Sequence, residues 1–307
     1  MKKRLFISTG FYSTLLASVI AGEDNLQYED YLLITIDRQS VDSNRLWANR
    51  IHRWKDVDFI YHEDFYTPKI NYTHSVNYFD VVFSPFPEMF LTISSAFPSE
   101  NYHYYEEGLT SYYQFYNDQF LPGDFYFCLH PYIYNQKYDL NSLPIKISRV
   151  IEKLEVISRC YMVPLIQGDN NVVVIGHGGF PDENQNSLMI EEYFNVIKSF
   201  SKKGYNIILL GHTRFSVDKN LLDHLRSSNE INFNYIEHDS PISDVFLLKN
   251  AKNIKILSGV YSTLLVNAKD LFGINVEPFD SVTLSERQLK LKEVQSLLLN
   301  NNFNSKF

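Results

Sequence analysis

Three short groups in this chain combine side chains suited to acid–base or phosphate chemistry with a glycine that frees the backbone around them. The first is Glu106-Glu107-Gly108, between an aromatic run and a helical one. A carboxylate held there could take a proton from an attacking hydroxyl, as a general base. Adjacent residues of an extended strand point to opposite faces, so only one of the pair can look outward. The competing reading is that both acids simply complement the positive end of the next helix.

The second group is Gly211-His212-Thr213-Arg214, after an apolar run. A histidine there could donate to a phosphate or protonate a leaving group near neutral pH. It could equally be a strand-end polar residue satisfied by its neighbours. His177, in Gly176-His177-Gly178-Gly179, and His130, in the pair His130-Pro131, compete for the same role. The third group lies in the stretch 253–272, where Ile254 to Leu257 reads as a buried strand that Gly259 breaks. Ser262 and Thr263 then open a helical run carried by Leu264, Leu265, Ala268, Leu271 and Phe272. Strand, glycine, then hydroxyls at a helix N-terminus is the local build of an anion site, because the first amide N–H groups are unpaired and the dipole end is positive. Ser262 as a plain N-cap explains the same residues.

These groups need elements to hold them, and the chain alternates short apolar runs with amphipathic ones throughout. Arg4 to Ser8 reads as a strand, Gly10 as a turn and Ser13 to Ala21 as a helix. The basic, partly apolar start also imitates a secretory leader, but polar residues from Ser8 to Thr14 interrupt it, which favours a first strand and helix. Strands follow at 31–37 (ending in Asp37), 58–61, 102–105 and 125–129, the last after a Pro122-Gly123-Asp124 turn. Helices intervene at 43–54, 89–97 and 109–116, with 67–76 irregular. Turn-forming residues dominate 135–144, and 147–157 is an amphipathic helix, so the domain boundary falls within 135–167, dividing 1–150 from 151–307. The alternation restarts with strands at 171–175, 205–210, 232–236, 254–257 and 273–276. Helices at 188–202, 219–226, 242–249 and 285–299 interleave with them, and the Asn-rich tail reads as frayed. Such a pattern predicts parallel sheets with crossovers, hence two α/β domains with a cleft between them. All three groups then fall at carboxyl ends of strands, where open α/β sheets bind ligands.

Composition narrows the partners. A net charge of −8 over 307 residues argues against a nucleic-acid-binding surface. Cys128 and Cys160 cannot form a zinc site by themselves and read as buried free thiols. No run of 18 apolar residues is present to span a membrane. The 22 Tyr and 23 Phe crowd the first half, where rings can fill a core or stack on sugar C–H faces.

In order and placement, Glu106-Glu107-Gly108, His212-Thr213 and Ser262-Thr263 resemble the acid-acid-Gly, His-Pro and Ser-Ser/Thr motifs of bacterial sialyltransferases of the lipooligosaccharide sialyltransferase and polysialyltransferase type. Thr213 stands where that family has proline, and His130-Pro131 lies too near the acidic motif to take its place. The resemblance implies a GT-B-type fold, two Rossmann-like domains facing across a cleft, with an N-terminal acceptor side and a C-terminal nucleotide-sugar side. It implies transfer of sialic acid, or a related nonulosonic acid, from its CMP-activated form to a sugar hydroxyl of a surface glycan, with inversion. By position Glu107 would be the general base, with Glu106 beside it and Gly108 turning the chain. His212, after Gly211, would assist the departing phosphate, and Ser262 and Thr263, after Gly259, would bind it. Asp244 would sit near the nucleotide ribose. No cofactor or metal is expected, since CMP leaves with a single phosphate and the one Asp-x-Asp run, Asp56-Val57-Asp58, precedes a strand. A cytoplasmic location, peripheral to the inner membrane, belongs to the same expectation. The alternatives are a GT-B enzyme using CMP-Kdo or a UDP-sugar, an epimerase, and a secreted carbohydrate-binding protein.

Overall fold

The computed structural model describes residues 1–23, 27–36, 41–72, 74–116, 125–131, 142–213 and 216–300. Asp37, the Pro122-Gly123-Asp124 turn, residues 135–141, Arg214 and the tail 301–307 lie outside the described residues. The chain divides into two compact units, Met1–Ile157 and Ser158–Phe307.

The first unit holds strands β1 (Lys2–Ser8), β2 (Tyr28–Ile36), β3 (Asp56–Tyr61), β4 (Phe79–Ser84), β5 (Ser99–Tyr105), β6 (Phe125–Cys128) and β7 (Ser142–Pro144). They form one parallel sheet in the order β3-β2-β1-β4-β5-β6-β7. Helices α1 (Phe11–Glu23), α2 (Val41–Ile51), α3 (His62–Phe65), α4 (Phe90–Ala96), α5 (Leu109–Tyr116) and α6 (Ile147–Ser158) connect or follow them. The segment that could be read as a leader is β1, an interior strand between β2 and β4. Leu5, Phe6 and Ile7 are wholly buried, and each such burial is worth about 1.5–3 kcal/mol. Helix α1 is buried continuously from Ser13 to Ala21, because apolar and small residues surround its whole circumference.

Strand β4 is not among the strands expected from sequence. Asp80 interrupts its apolar run, yet the carboxylate is used: Lys3 N–H donates to it at 2.7 Å. Pairing of β1 with β4 begins only at Arg4 and Val81, so the side chain takes up a donor at the frayed end of the ladder. The three-residue β7 was likewise unanticipated, within a stretch too rich in turn residues to show a period. Asp56-Val57-Asp58 begins β3 rather than preceding it, with Asp58 accepting from the Tyr72 hydroxyl at 2.5 Å. Cys128 is buried as expected, but Cys160 is exposed at the start of the second unit.

The second unit holds β8 (Asn171–Ile175), β9 (Asn206–Leu210), β10 (Phe233–Ile236), β11 (Ile254–Gly259) and β12 (Asn275–Pro278), all parallel, in the order β10-β9-β8-β11-β12. Its helices are α7 (Glu183–Lys202), α8 (Lys219–Ser227), α9 (Asp244–Asn250), α10 (Thr263–Phe272) and α11 (Glu286–Asn300). Asp182 and Asp218 cap α7 and α8 by accepting from Gln185 and Leu221 N–H, and Gly273 ends α10 in the left-handed conformation. Both sheets are doubly wound. Strand order reverses beside β1 and β4 in the first and beside β8 and β11 in the second. Ligands of such sheets sit at these reversals, outside the carboxyl ends. No helix among the described residues is long and apolar enough to cross a membrane.

Candidate functional site

In the first unit the two acids part company. Glu106 N–H extends the ladder by donating to Phe127 O at 3.0 Å, and the side chain turns inward, 1% exposed. Its Oε2 accepts from Leu129 N–H at 2.8 Å and from the Tyr112 hydroxyl. The Tyr112 oxygen in turn accepts from His130 N–H at 3.2 Å. Burial and the charge of Glu106 push the Tyr112 phenol and the Cys128 thiol well above their ordinary ranges. Glu106 therefore joins β5, α5 and the end of β6 from within, instead of facing out at the carboxyl edge of the sheet. His130 belongs to the same buried cluster.

Glu107 takes the other face and is partly exposed. Its Oε2 accepts from Thr9 Oγ1 at 2.8 Å, which ties it to the turn after β1 at the strand-order reversal. Ser111 Oγ accepts its backbone N–H at 2.8 Å, and Gly108, at φ +112°, makes the turn into α5 that a side chain would strain. Tyr66, following α3, belongs to the same edge. Burial, and next the charge of Glu107, push its phenol up to about 12, and its ring meets Phe65 and Phe86 edge-on at 5.2 and 5.6 Å. The carboxyl edge thus carries Glu107, the Thr9 hydroxyl bonded to it and the half-exposed Tyr66 ring.

In the second unit the edge is built from four consecutive strand ends. Gly259 closes β11 against the Ile175 side chain of β8, with the site of a Cβ 3.4 Å from Ile175 Cβ. Ser262 is the N-cap of α10: its Oγ accepts from Leu264 N–H at 3.1 Å, and Thr263 is the first helical residue. The observed cap is compatible with an anion site, because a hydroxyl oxygen that accepts from an N–H keeps its own proton to donate.

The two histidines differ in their distance from that helix. His177 follows β8, the immediate neighbour of β11, whereas His212 follows β9, two strand spacings away, or about 10 Å. His177 Nδ1 accepts from Gly179 N–H at 2.9 Å, and its ring lies 4.6 Å from that of Phe180. Burial lowers its pKa, with the Asp218 charge acting the other way; because Nδ1 accepts the Gly179 N–H, the neutral ring carries its proton on Nε2. His212 lines a cavity of about 340 Å³ with Gly211, Thr213, Glu237, His238 and Asp239. Gly211 allows this crowding, since a Cβ there would lie 3.1 Å from Glu237 Cγ. The Glu237-His238-Asp239 group was missed from sequence, although an acid directly after a predicted strand was the signal available.

Asp244 is placed otherwise than a ribose-binding acid would be. It opens α9, is 6% exposed, and its Oδ1 accepts from Asn267 Nδ2 of α10 at 2.7 Å. Burial pushes the carboxyl up to about 6, with the Asn267 amide pulling part of the way back. A carboxyl raised in the folded state holds its proton between about pH 4 and pH 6 while the unfolded chain releases it, so stability falls as pH rises through that window. Asp244→Asn keeps an acceptor for Asn267 and removes the buried charge. The variant is expected to match the wild type near pH 4 and exceed it at pH 7 by up to about 3 kcal/mol. Urea denaturation at the two pH values measures this; a variant less stable at pH 7 would refute it.

No family model and no curated protein matches this sequence. Solved structures do. The GT-B domain of a sialyltransferase from Photobacterium damselae aligns with 98% of this chain and 97% of its own length, at 13% identity and a TM-score of 0.51. UDP-GlcNAc 2-epimerase from Neisseria meningitidis, bound to UDP-GlcNAc, aligns with 97% of this chain and 91% of its own, at 13% identity and a TM-score of 0.51. TcCGT1 in complex with UDP aligns with 96% of this chain and 84% of its own, at 11% identity and a TM-score of 0.53. At these identities the likeness is one of fold. The chain is an α/β protein of GT-B type, with two doubly wound, Rossmann-like units.

Proposed function

We propose that this chain is a glycosyltransferase that moves sialic acid, or a related nonulosonic acid, from a CMP-activated donor to a sugar hydroxyl of a bacterial surface glycan. The observation that carries the reading is that each of the two units of this GT-B fold has, at its own switch point, groups suited to one half of the reaction. The second unit's switch point offers two hydroxyls at a helix N-terminus flanked by histidine-bearing strand ends, and the first unit's edge offers Glu107. In the proposed step the acceptor hydroxyl oxygen attacks the anomeric carbon of the donor as Glu107 takes its proton. The bond from that carbon to the phosphate oxygen breaks, and CMP departs with the electron pair. Ser262 and Thr263 donate to the phosphate, and His212 or the nearer His177 meets the charge that develops on it. Preorganised donors of this kind act only where charge grows, so no metal is needed. The His212 cavity, with Glu237 and Asp239, takes the nucleoside, its carboxylates accepting from ribose hydroxyls. The protein works in the cytoplasm, at the inner face of the membrane, where such donors and growing glycans meet.

The second reading is a UDP-sugar transferase or an epimerase. Two of the structures of like fold hold UDP or a UDP-sugar, and Thr213 departs from the His-Pro pair. Purified protein incubated with CMP-sialic acid and lactose is expected to release CMP with transfer, and to hydrolyse the donor slowly without acceptor. Turnover of UDP-GlcNAc or UDP-glucose with neither CMP-linked activity would overturn the first reading in favour of the second.

A further inference from the structure

The C-terminal helix α11 turns a polar stripe inward. Gln288, Lys292 and Gln295 are spaced four and three residues apart and so share one face. Gln295 is 0% exposed and grips the loop between β11 and α10 by both ends: its Oε1 accepts from Ser262 N–H at 2.7 Å and its Nε2 donates to Val260 O at 3.4 Å. Gln288 is the third helical residue of a capping box. Its Oε1 accepts from Ser285 N–H at 2.8 Å, while its Nε2 donates to the Tyr261 hydroxyl at 2.9 Å. Lys292 donates to Phe279 O at 2.7 Å, and Phe279 N–H donates to Gly259 O at 3.1 Å. Every residue from Gly259 to Ser262 is therefore tied to α11, directly or through Phe279.

A leucine would fill the volume of Gln295 without burying an amide, whose desolvation costs free energy unless both ends are bonded. What the amide adds is a fixed backbone on each side of Tyr261. It also takes the Ser262 N–H, one of the donors that a bare helix N-terminus would offer an anion. Recognition is thereby moved from that amide to the Ser262 and Thr263 hydroxyls, whose direction depends on the loop being held.

We infer that α11 is the positioning element of the anion site, with Gln295 as a positioning residue that orients Ser262 and Thr263 toward a nucleotide's phosphate. This rests on the reading of that helix N-terminus as the phosphate site. The test compares Gln295→Leu, Gln295→Glu, Gln288→Ala and the packing control Val294→Ala, a buried residue of the same helix. Amide hydrogen exchange over residues 259–264 and CMP binding by calorimetry are the readouts. Gln295→Leu is expected to speed exchange at Ser262 and weaken CMP binding about ten-fold or more. Gln295→Glu, which keeps the acceptor for Ser262 N–H, should restore most of the slow exchange. Gln288→Ala lies on a partly exposed position and should weaken CMP binding about three-fold with the fold intact. Val294→Ala should lower Tm and leave affinity unchanged. Wild-type affinity in both Gln295→Leu and Gln288→Ala, or an equal loss in Val294→Ala, would overturn the positioning role. The same ranking read on UDP, with no CMP binding, would support it while overturning the CMP reading. A wild type that binds neither nucleotide overturns both.

Discussion

Glu107→Gln is expected to lower kcat for transfer by about 10²–10⁴-fold while CMP affinity stays within about two-fold. The amide keeps the shape of the carboxylate and can still accept from Thr9 Oγ1, so the turn after β1 should hold its position. What it loses, in the proposed mechanism, is the ability to take a proton from the acceptor hydroxyl. Steady-state transfer measured with saturating acceptor, beside calorimetric binding of CMP, separates the two effects. A fall in CMP affinity with unchanged kcat would remove Glu107 from the proton-transfer step. Thr9→Ala offers a second reading of the same geometry, since it leaves the carboxylate in place and takes away its tether. It should cost activity by disorientation, less than Glu107→Gln does.

The neighbouring acid should behave in the opposite way. Glu106→Leu leaves the Tyr112 hydroxyl and Leu129 N–H buried without the acceptor they share, at about 1–3 kcal/mol for each stranded group. The loss should appear as a lower urea midpoint with an unchanged slope. Glu106→Gln retains a carbonyl oxygen for both donors and should lose much less stability and keep most of its transfer activity. Equal activity losses in Glu106→Gln and Glu107→Gln, at wild-type stability, would return Glu106 to the catalytic edge. Two residues one position apart thus give opposite signatures, one in stability and one in rate.

That division shows how far a sequence can be read. Alternation in a strand says that Glu106 and Glu107 must face opposite ways, but it does not say which way is inward. The answer depends on β6 and the end of α5, which supply Leu129 N–H and the Tyr112 hydroxyl. The double winding of both units was legible, because apolar runs of five or six residues separated by amphipathic ones admit few other packings. β4 was not, since the acid within it is explained only by the Lys3 N–H of a strand far away in sequence. Asp244 illustrates the same limit. It stands in a stretch suited to a ribose contact, yet α10 offers Asn267 and the carboxyl is drawn between two helices.

The sequence by itself determined the local parts of the candidate site. Strand, glycine, Ser262-Thr263 and helix specify a capped N-terminus whatever surrounds them, because caps and turns are settled within a few residues. Ser285 and Gln288 specify the start of α11 for the same reason. Tertiary structure alone decided which of these parts meet. It put His177 rather than His212 on the strand beside β11, because parallel order is set by crossovers and not by order in the chain. It brought Thr9 to Glu107 across 98 positions and Gln295 to Ser262 across 33, contacts that carry no local signal. Side-chain hydrogen bonds at such separations depend on the packed sheet that brings their partners within reach, so no window of sequence contains them.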